Sequence, residues 1–254
     1  MCGLAGIYSH KPVATELYDS LIHLQHRGQD AAGITTYNKH MHKTKGLGLV
    51  RDIFTEKKIK RLKGNIGIAH TRYPTQGGFG HGEIQPFWTS VPYGIALAHN
   101  GNLTNYNELA KNITSNESRY LNTNSDTEVL LHLFAELLHD KNKHDNDKEF
   151  FDGLCSALEY IYEHVHGAYS VVALVIGKGL VAFRDPQGIR PLVKGIRSNS
   201  NGEHEYIIAS ENTMFYQLGF KPDGNVLPGE LIYISEGGEV FSKRLIKKSF
   251  NPCI

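Results

Sequence analysis

The sequence predicts an α+β fold in which sheets pack between helices. Short apolar segments rich in β-branched and aromatic residues recur along the chain, bounded by Gly, Asn or Pro. Segments with helical periodicity lie between them without strict strand–helix alternation. Strands joined by very short turns, such as residues 168–176 and 180–184 across Gly177-Lys178-Gly179, have to run antiparallel.

In chain order, strands are expected at residues 4–8, 31–37, 65–70, 94–99, 168–176, 180–184, 206–209 and 231–234. Several are apolar for most of their length, which predicts burial on both faces. A first helix presents Leu17, Leu21, Ile22 and Leu24 on one face. A second carries Val129, Leu130, Leu133, Phe134 and Leu137, with Ser125 or Asp126 as N-cap and Glu128 close behind. A third carries Phe150, Leu154, Leu158, Ile161 and Tyr162. Residues 139–147, dense in Lys, Asp and Asn, read as an exposed loop, as does the stretch holding His40 and His42. The run Lys57-Lys58-Ile59-Lys60-Arg61 reads as a solvated helix face. No repeat, low-complexity stretch or linker interrupts the 254 residues, so one domain is expected.

Composition excludes several functions. Lysine and arginine total 27 against 26 acidic residues, which leaves no overall field for nucleic acid or acidic membrane. No stretch reaches the ~20 apolar residues of a spanning helix. The start lacks the charged-then-apolar pattern of a secretory leader. Cys2, Cys155 and Cys253 are too few and too scattered for a disulfide framework, which points to a reduced, cytoplasmic setting. The glycosylation-like patterns at Asn102, Asn112 and Asn116 read as chance in that setting. The 14 histidines fall mostly singly and match no zinc spacing, so no metal ligands are expected.

The opening Met1-Cys2-Gly3 carries the most chemistry. Once Met1 is removed, Cys2 bears a thiol and a free α-amine on one residue. The amine, with a reference pKa of ~7.7–8.0, can take the thiol's proton as sulfur attacks a carbonyl. Four other constellations are candidates, three of them with a structural reading beside the chemical one. Arg27-Gly28 is either a helix C-cap with a surface arginine, or a guanidinium and a bare backbone beside a reacting centre. Arg72, where a strand ends, can hold an α-carboxylate in a bidentate pair. The glycines that follow it through Gly82 can form a loop over substrate; the phosphate-loop reading fails for want of a Lys-Ser/Thr ending. Asn100-Gly101 is either a turn or an oxyanion hole made of a side-chain amide and a backbone N–H. Asp126 is either an N-cap or the acceptor of a substrate ammonium. Together they form a kit for hydrolysing the side-chain amide of free glutamine.

At this point the chain resembles the class II glutamine amidotransferases, which are N-terminal nucleophile hydrolases. Within them it is similar to the glutamine phosphoribosylpyrophosphate amidotransferase branch. The resemblance runs nearly end to end, through MCGLAGI, LQHRGQDAAG, GIAHTRYPT, QPF, PYGIALAHNGNLTN, NSDTE, VAFRDPQGIRPL, ASE, PGE and the closing NPC. The aminosugar synthase branch has YRGYDSAG and HTRWATHG instead. The resemblance implies a four-layer αββα sandwich of two antiparallel sheets. It implies Cys2 as nucleophile, Asn100 and Gly101 as oxyanion hole, and Arg27 and Gly28 lining the site. Arg72 and Asp126 would grip glutamine, and Thr75 would lie in the glutamine loop. Two departures stand out. Residues 77–82 are glycine-rich where relatives are serine-rich. No propeptide precedes Cys2, although Cys253 is similar to one cluster ligand of the iron–sulfur branch. Residues 2–254 are thus expected to be the amidotransferase domain. The family's phosphoribosyltransferase domain, with its Mg2+, is not in this sequence, and no cofactor is expected for this part. The expected partners are glutamine and that second domain, with room for a homo-oligomer. A non-catalytic, partner-dependent glutamine-binding module is the alternative, with an aminosugar synthase domain behind it.

Overall fold

A computed structural model of the protein describes residues 1–73, 81–116, 120–139 and 145–246. The elements are β1 (Gly3–Tyr8), α1 (Ala14–His23), β2 (Ala31–Asn38), β3 (His40–Leu47), the one-turn helices α2 (Val50–Ile53) and α3 (Glu56–Ile59), β4 (Ile66–Arg72), β5 (Phe87–Thr89), β6 (Ile95–Leu103), α4 (Tyr106–Asn116), α5 (Asp126–Leu137), α6 (Asp147–His164), β7 (Gly167–Val175), β8 (Gly179–Arg184), β9 (Val193–Ser198), β10 (His204–Ala209), β11 (Lys221–Asn225), β12 (Glu230–Ser235) and β13 (Val240–Arg244). One sheet runs β11-β9-β10-β1-β4-β2-β3 and the other β13-β12-β8-β7-β6-β5. Every pairing is antiparallel.

The side-chain alternation of the central strands builds the layers. On β1, Leu4 and Tyr8 enter the space between the sheets, while Ala5 and Ile7 pack under Leu17 and Leu21 of α1. On β7, Val172 and Leu174 face the first sheet, and Val171, Ala173 and Val175 meet the core formed with α5 and α6. The result is the expected αββα sandwich, and its near-continuous apolar strands are those buried on both faces. Ser125 caps α5, its hydroxyl accepting from Thr127 N–H at 3.3 Å. Asn146 caps α6, accepting from Glu149 N–H at 2.9 Å. No helix among the described residues is long and apolar enough to cross a membrane.

The sequence reading needs correction at the periphery. The stretch with His40 and His42 is not a loop but strand β3, at an edge of the first sheet. Its His and Lys residues hide the strand pattern, and lysines on an edge deter pairing with another chain. Strands β5, β9, β11 and β13 and helix α4 were not expected either. β11 is exposed along its length and β13 sets only Phe241 against the core, so neither carries an apolar stripe. Ile22, expected on the buried face of the first helix, is 41% exposed. In the basic run only residues 57–59 are helical, although all but Ile59 are exposed. Most of the 139–147 stretch lies outside the described residues.

Glu205 on β10 is buried and accepts from Ser9 Oγ at 2.8 Å, His10 N–H at 2.9 Å and Arg197 Nε at 2.5 Å. Burial opposes its charge, but these donors outweigh it and hold the carboxyl below its ordinary range. A depressed carboxyl adds stability that is present above its unfolded pKa and lost as pH falls. Glu205→Gln is therefore expected to cost about 2 kcal/mol at neutral pH, the scale of hydrogen bonds to a charged group. The gap from wild type should close as pH drops below ~4.3, as read by urea unfolding across a pH series.

Candidate active site

The interior layer of the sandwich changes character at one end. Leu4 and Tyr8 on β1, Ile66 and Ile68 on β4, and Ala96 and Ala98 on β6 form its apolar part. Continuing each strand by the same two-residue step reaches Cys2 ahead of β1, His70 and Arg72 on β4, and Asn100 on β6. Apolar side chains give way there to a thiol, an imidazole, a guanidinium and a carboxamide. A cavity of about 550 Å³ opens beside them, lined among others by Cys2, Arg72, Gly101 and Asp126.

Cys2 is held from both sides of the chain. Ser210, just after β10, accepts Leu4 N–H on its hydroxyl at 3.0 Å and donates its own N–H to Leu4 O at 3.0 Å. Arg27 Nε donates to the Cys2 carbonyl at 3.0 Å. The Arg27 guanidinium is buried and also pairs with Glu211. Gly3 leaves no room for movement, since a Cβ there would sit 2.7 Å from Thr71 Oγ1. The thiol is partly exposed; its hydrogen-bond partner among the described residues is the Tyr73 carbonyl, 4.0 Å away. Burial pushes its pKa up. Met1 occupies the terminus. Burial draws its amine below the ordinary value against the opposing effect of Cys2, and Arg27 and Arg190 add to the lowering.

The surface-arginine reading of Arg27-Gly28 does not hold. Arg27 closes a 3-10 turn, and Gly28 is extended at φ −168°, not a left-handed cap. Glycine is required there by close approach: a Cβ would sit 2.4 Å from the Arg72 carbonyl carbon. Nor is Asn100-Gly101 a turn. The strand expected to end at His99 runs on to Leu103, so both residues lie inside β6. Asn100 is 2% exposed and its Nδ2 has no partner among the described residues. An orphaned buried amide in a native structure demands an explanation, and a catalytic role is one.

Arg72 donates to Asp30 Oδ2 at 2.8 Å and to Glu83 Oε2 at 3.1 Å. These two carboxylates fix the plane of its guanidinium. Asp126 is the first residue of α5, behind the Ser125 cap. Its Oδ2 accepts Leu103 N–H at 3.1 Å and its Oδ1 lies 3.6 Å from His99 Nδ1. Burial disfavours its charge, but His99 and the backbone donors prevail and hold the carboxyl below its ordinary range. His70 is wholly buried and is pushed down to about 3 by burial, then by His99 and Arg72, so it is neutral near pH 7. Thr75 and residues 77–80 of the glycine-rich segment lie outside the described residues, as does Cys253. Among the described residues no three His, Cys, Asp or Glu side chains converge on a metal position.

The sequence reading missed Asp30, Glu83, Gln85 and Glu211, which hold the predicted residues in place. Gln85 and Glu211 fall within the QPF and ASE motifs, which offered a signal without a role. VAFRDPQGIRPL proves to be a structural knot. Arg184 donates to the Arg190, Val226 and Gly188 carbonyls, and Asp185 accepts from Tyr169, Gln187 and Gly188 N–H.

Residues 78–217 match the family model described as a glutamine amidotransferase domain. The chain belongs to the glutamine amidotransferase domain family. It is 46% identical over 256 residues to an amidophosphoribosyltransferase of Pseudomonas aeruginosa and 46% identical over 260 to that of Escherichia coli, with 100% of this chain covered in each case. It spans about half the length of these curated relatives, 50% of each. Among solved structures, the allosteric regulatory enzyme of purine biosynthesis superposes with a TM-score of 0.82 at 32% identity, over 97% of this chain and 50% of that one. The glutamine phosphoribosylpyrophosphate amidotransferase of B. subtilis, complexed with ADP and GMP, gives 0.79 at 31%, with the same coverage.

Gly101 offers a direct test of the site's packing. A Cβ there would lie 1.9 Å from the Ala168 carbonyl oxygen and 2.7 Å from His99 Nε2. Gly101→Ala is expected to destabilise the fold by about 3 kcal/mol, the upper range for overpacking. Thermal unfolding of the purified variant measures this.

Proposed function

We propose that this chain hydrolyses glutamine to glutamate and ammonia, as the ammonia-supplying part of an amidophosphoribosyltransferase in purine synthesis. The carrying observation is the buried Asn100 amide, without a partner among the described residues and two residues on from Ala98 of the inter-sheet layer, as Cys2 is two residues back from Leu4. The absence of a His, Asp or Glu side chain hydrogen-bonded to the thiol among the described residues favours a base on Cys2 itself.

After loss of Met1, the Cys2 α-amine takes the thiol proton as sulfur bonds to the glutamine amide carbon. The carbonyl electron pair moves onto oxygen, where Asn100 Nδ2 and the Gly101 N–H hold it. Collapse expels ammonia, with a proton returned by the ammonium of Cys2, and leaves a γ-glutamyl thioester. Water, deprotonated by the same amine, attacks the thioester and glutamate leaves. Arg72 takes the substrate α-carboxylate on a guanidinium already aligned by Asp30 and Glu83. Asp126, kept ionised, takes the α-ammonium, and Thr75 is a further substrate-binding residue. Arg27 with Gly28 fixes the Cys2 carbonyl and the strand end beside it. The ammonia would pass to a phosphoribosyltransferase domain outside this sequence, where Mg2+ would serve a diphosphate leaving group. This part needs no cofactor of its own, and a cytoplasmic setting fits.

One observation favours a partner-dependent module as the second reading. Both side-chain partners of Arg72 among the described residues are carboxylates, so glutamine has to share or displace Glu83 before it is gripped. Steady glutamate production by the chain alone, in a coupled assay, separates the two readings.

Intact mass is expected to show Met1 absent, and a diazoketone analogue of glutamine is expected to label Cys2 alone. Active protein that retains Met1 would sink the amine-base mechanism, because the nitrogen would then be an amide. Cys2→Ser is expected to lose nearly all activity, an alcohol being a far weaker nucleophile near neutral pH. Asn100→Ala is expected to lower kcat by about 10²–10³, the usual loss for one oxyanion donor. Arg72→Lys is expected mainly to raise KM, since a carboxylate clamp acts in ground and transition states alike. Swapped kinetic signatures would refute both assignments.

A further inference from the structure

Strand β5 covers β6 only as far as the Phe87↔Leu97 pair, yet β6 continues to Leu103. Beyond Leu97 the N–H groups on that edge have lost their strand. Their direction follows from the opposite side. Tyr169, facing Gly101 on β7, gives its N–H to Asp185 Oδ2 at 3.1 Å, and its carbonyl accepts Asp185 N–H at 2.9 Å. The Gly101↔Tyr169 pair is therefore a non-hydrogen-bonded one, and His99, Gly101 and Leu103 direct their N–H groups away from β7. Side chains replace the strand at both flanks. His99 N–H donates to Gln85 Oε1 at 2.6 Å, and Leu103 N–H donates to Asp126 Oδ2 at 3.1 Å. The Gly101 N–H between them has no such partner among the described residues.

We propose that Gln85 is a positioning residue for the oxyanion hole, its carboxamide standing in for the missing strand and tying the sheet of the oxyanion donors to the sheet of the nucleophile. This rests on the reading of Asn100 and Gly101 given above. The tie has two anchored ends. At its backbone end, Gln85 lies against β2 of the first sheet, where Gly33 makes room; a Cβ on Gly33 would sit 2.1 Å from the Gln85 carbonyl oxygen. The preceding Ile84 is buried, and its carbonyl accepts Lys45 Nζ of β3 at 2.6 Å. At its side-chain end Gln85 grips β6 of the second sheet one residue before Asn100. Gln85 itself is 7% exposed and His99 2%, so water does not readily take over the lost contact.

The residue type also matters. Glu83 and Asp126 already place two carboxylates in the lining of this cavity, and Asp30 stands behind Arg72. A glutamate at position 85 would add a negative charge two residues from the donor that receives the oxyanion. A neutral carboxamide supplies the acceptor without that charge.

Gln85→Met keeps the length and removes the acceptor; Gln85→Glu keeps the acceptor and adds charge. In wild type the His99 amide is expected to resist hydrogen exchange and the Gly101 amide to exchange fast. Gln85→Met should release the His99 amide. It should also lower kcat by about tenfold to a hundredfold, less than deletion of a donor, with KM within about twofold. Inactivation by the diazoketone, whose attacked carbonyl becomes an oxyanion, should slow by the same factor at unchanged binding. Alkylation by iodoacetamide, which forms no oxyanion, should keep its wild-type rate. Gln85→Glu should keep the His99 amide protected while kcat falls. A Gln85→Met protein with a released His99 amide but full kcat overturns the proposal, as does equal slowing of diazoketone and iodoacetamide. A wild-type chain that neither turns over glutamine nor reacts with the diazoketone overturns the glutaminase reading and this proposal with it.

Discussion

Everything about the site depends on two sheets pressed face to face across one apolar layer. Hydrophobic burial in that layer sets the distance between sheets, and it is rigid because interiors pack at near-crystalline density. The first sheet carries Cys2 and Arg72; the second carries Asn100 and Gly101. No single strand or helix holds both the proposed nucleophile and its proposed oxyanion donors. Their separation is a property of the sandwich, so a change in core volume far from the cavity can reach the chemistry through the sheet spacing.

Charge is organised by the same economy. Arg27 with Glu211, and Arg72 with Asp30 and Glu83, are buried or nearly buried arginines, each locked by carboxylates from distant parts of the chain. Pairs of this kind contribute little net stability against an apolar replacement, but removing one partner is costly because the other charge is stranded. Their value here is geometric. A guanidinium held in plane by carboxylates presents its remaining edge in one orientation. Glu128, in the first turn of α5, serves the same end, accepting from Asn122 and Thr123 to hold the segment that leads into Asp126.

Much of this was legible in the sequence because alternation is a strong code. The apolar runs of β1, β4, β6 and β7 declare strands buried on both faces, and stepping by two from Leu4, Ile68 or Ala98 leads to Cys2, Arg72 and Asn100. The edge strands β3 and β11 escaped notice because an edge has little core to face, so nothing selects an apolar stripe. Asn100-Gly101 reads locally as a turn, and only the β7 ladder beside it shows a strand. Gln85 was invisible in role for a different reason. Its contact crosses between sheets, and no periodicity within one segment encodes a partner in another layer. Thr75 and the glycine-rich stretch after it stand apart, since most of them lie outside the described residues.

The setting of the amino terminus has a consequence for the timing of maturation. Met1 is 55% exposed, yet Cys2 is clamped through its carbonyl by Arg27, and Gly3 is already paired with Thr71. A peptidase has to draw several extended residues into its own cleft to cut after the first. The closed sandwich does not release them, because freeing Gly3 and Leu4 means peeling a central strand from two neighbours. On the proposed mechanism, trimming of Met1 therefore has to occur on the nascent chain, before β1 zips between β4 and β10.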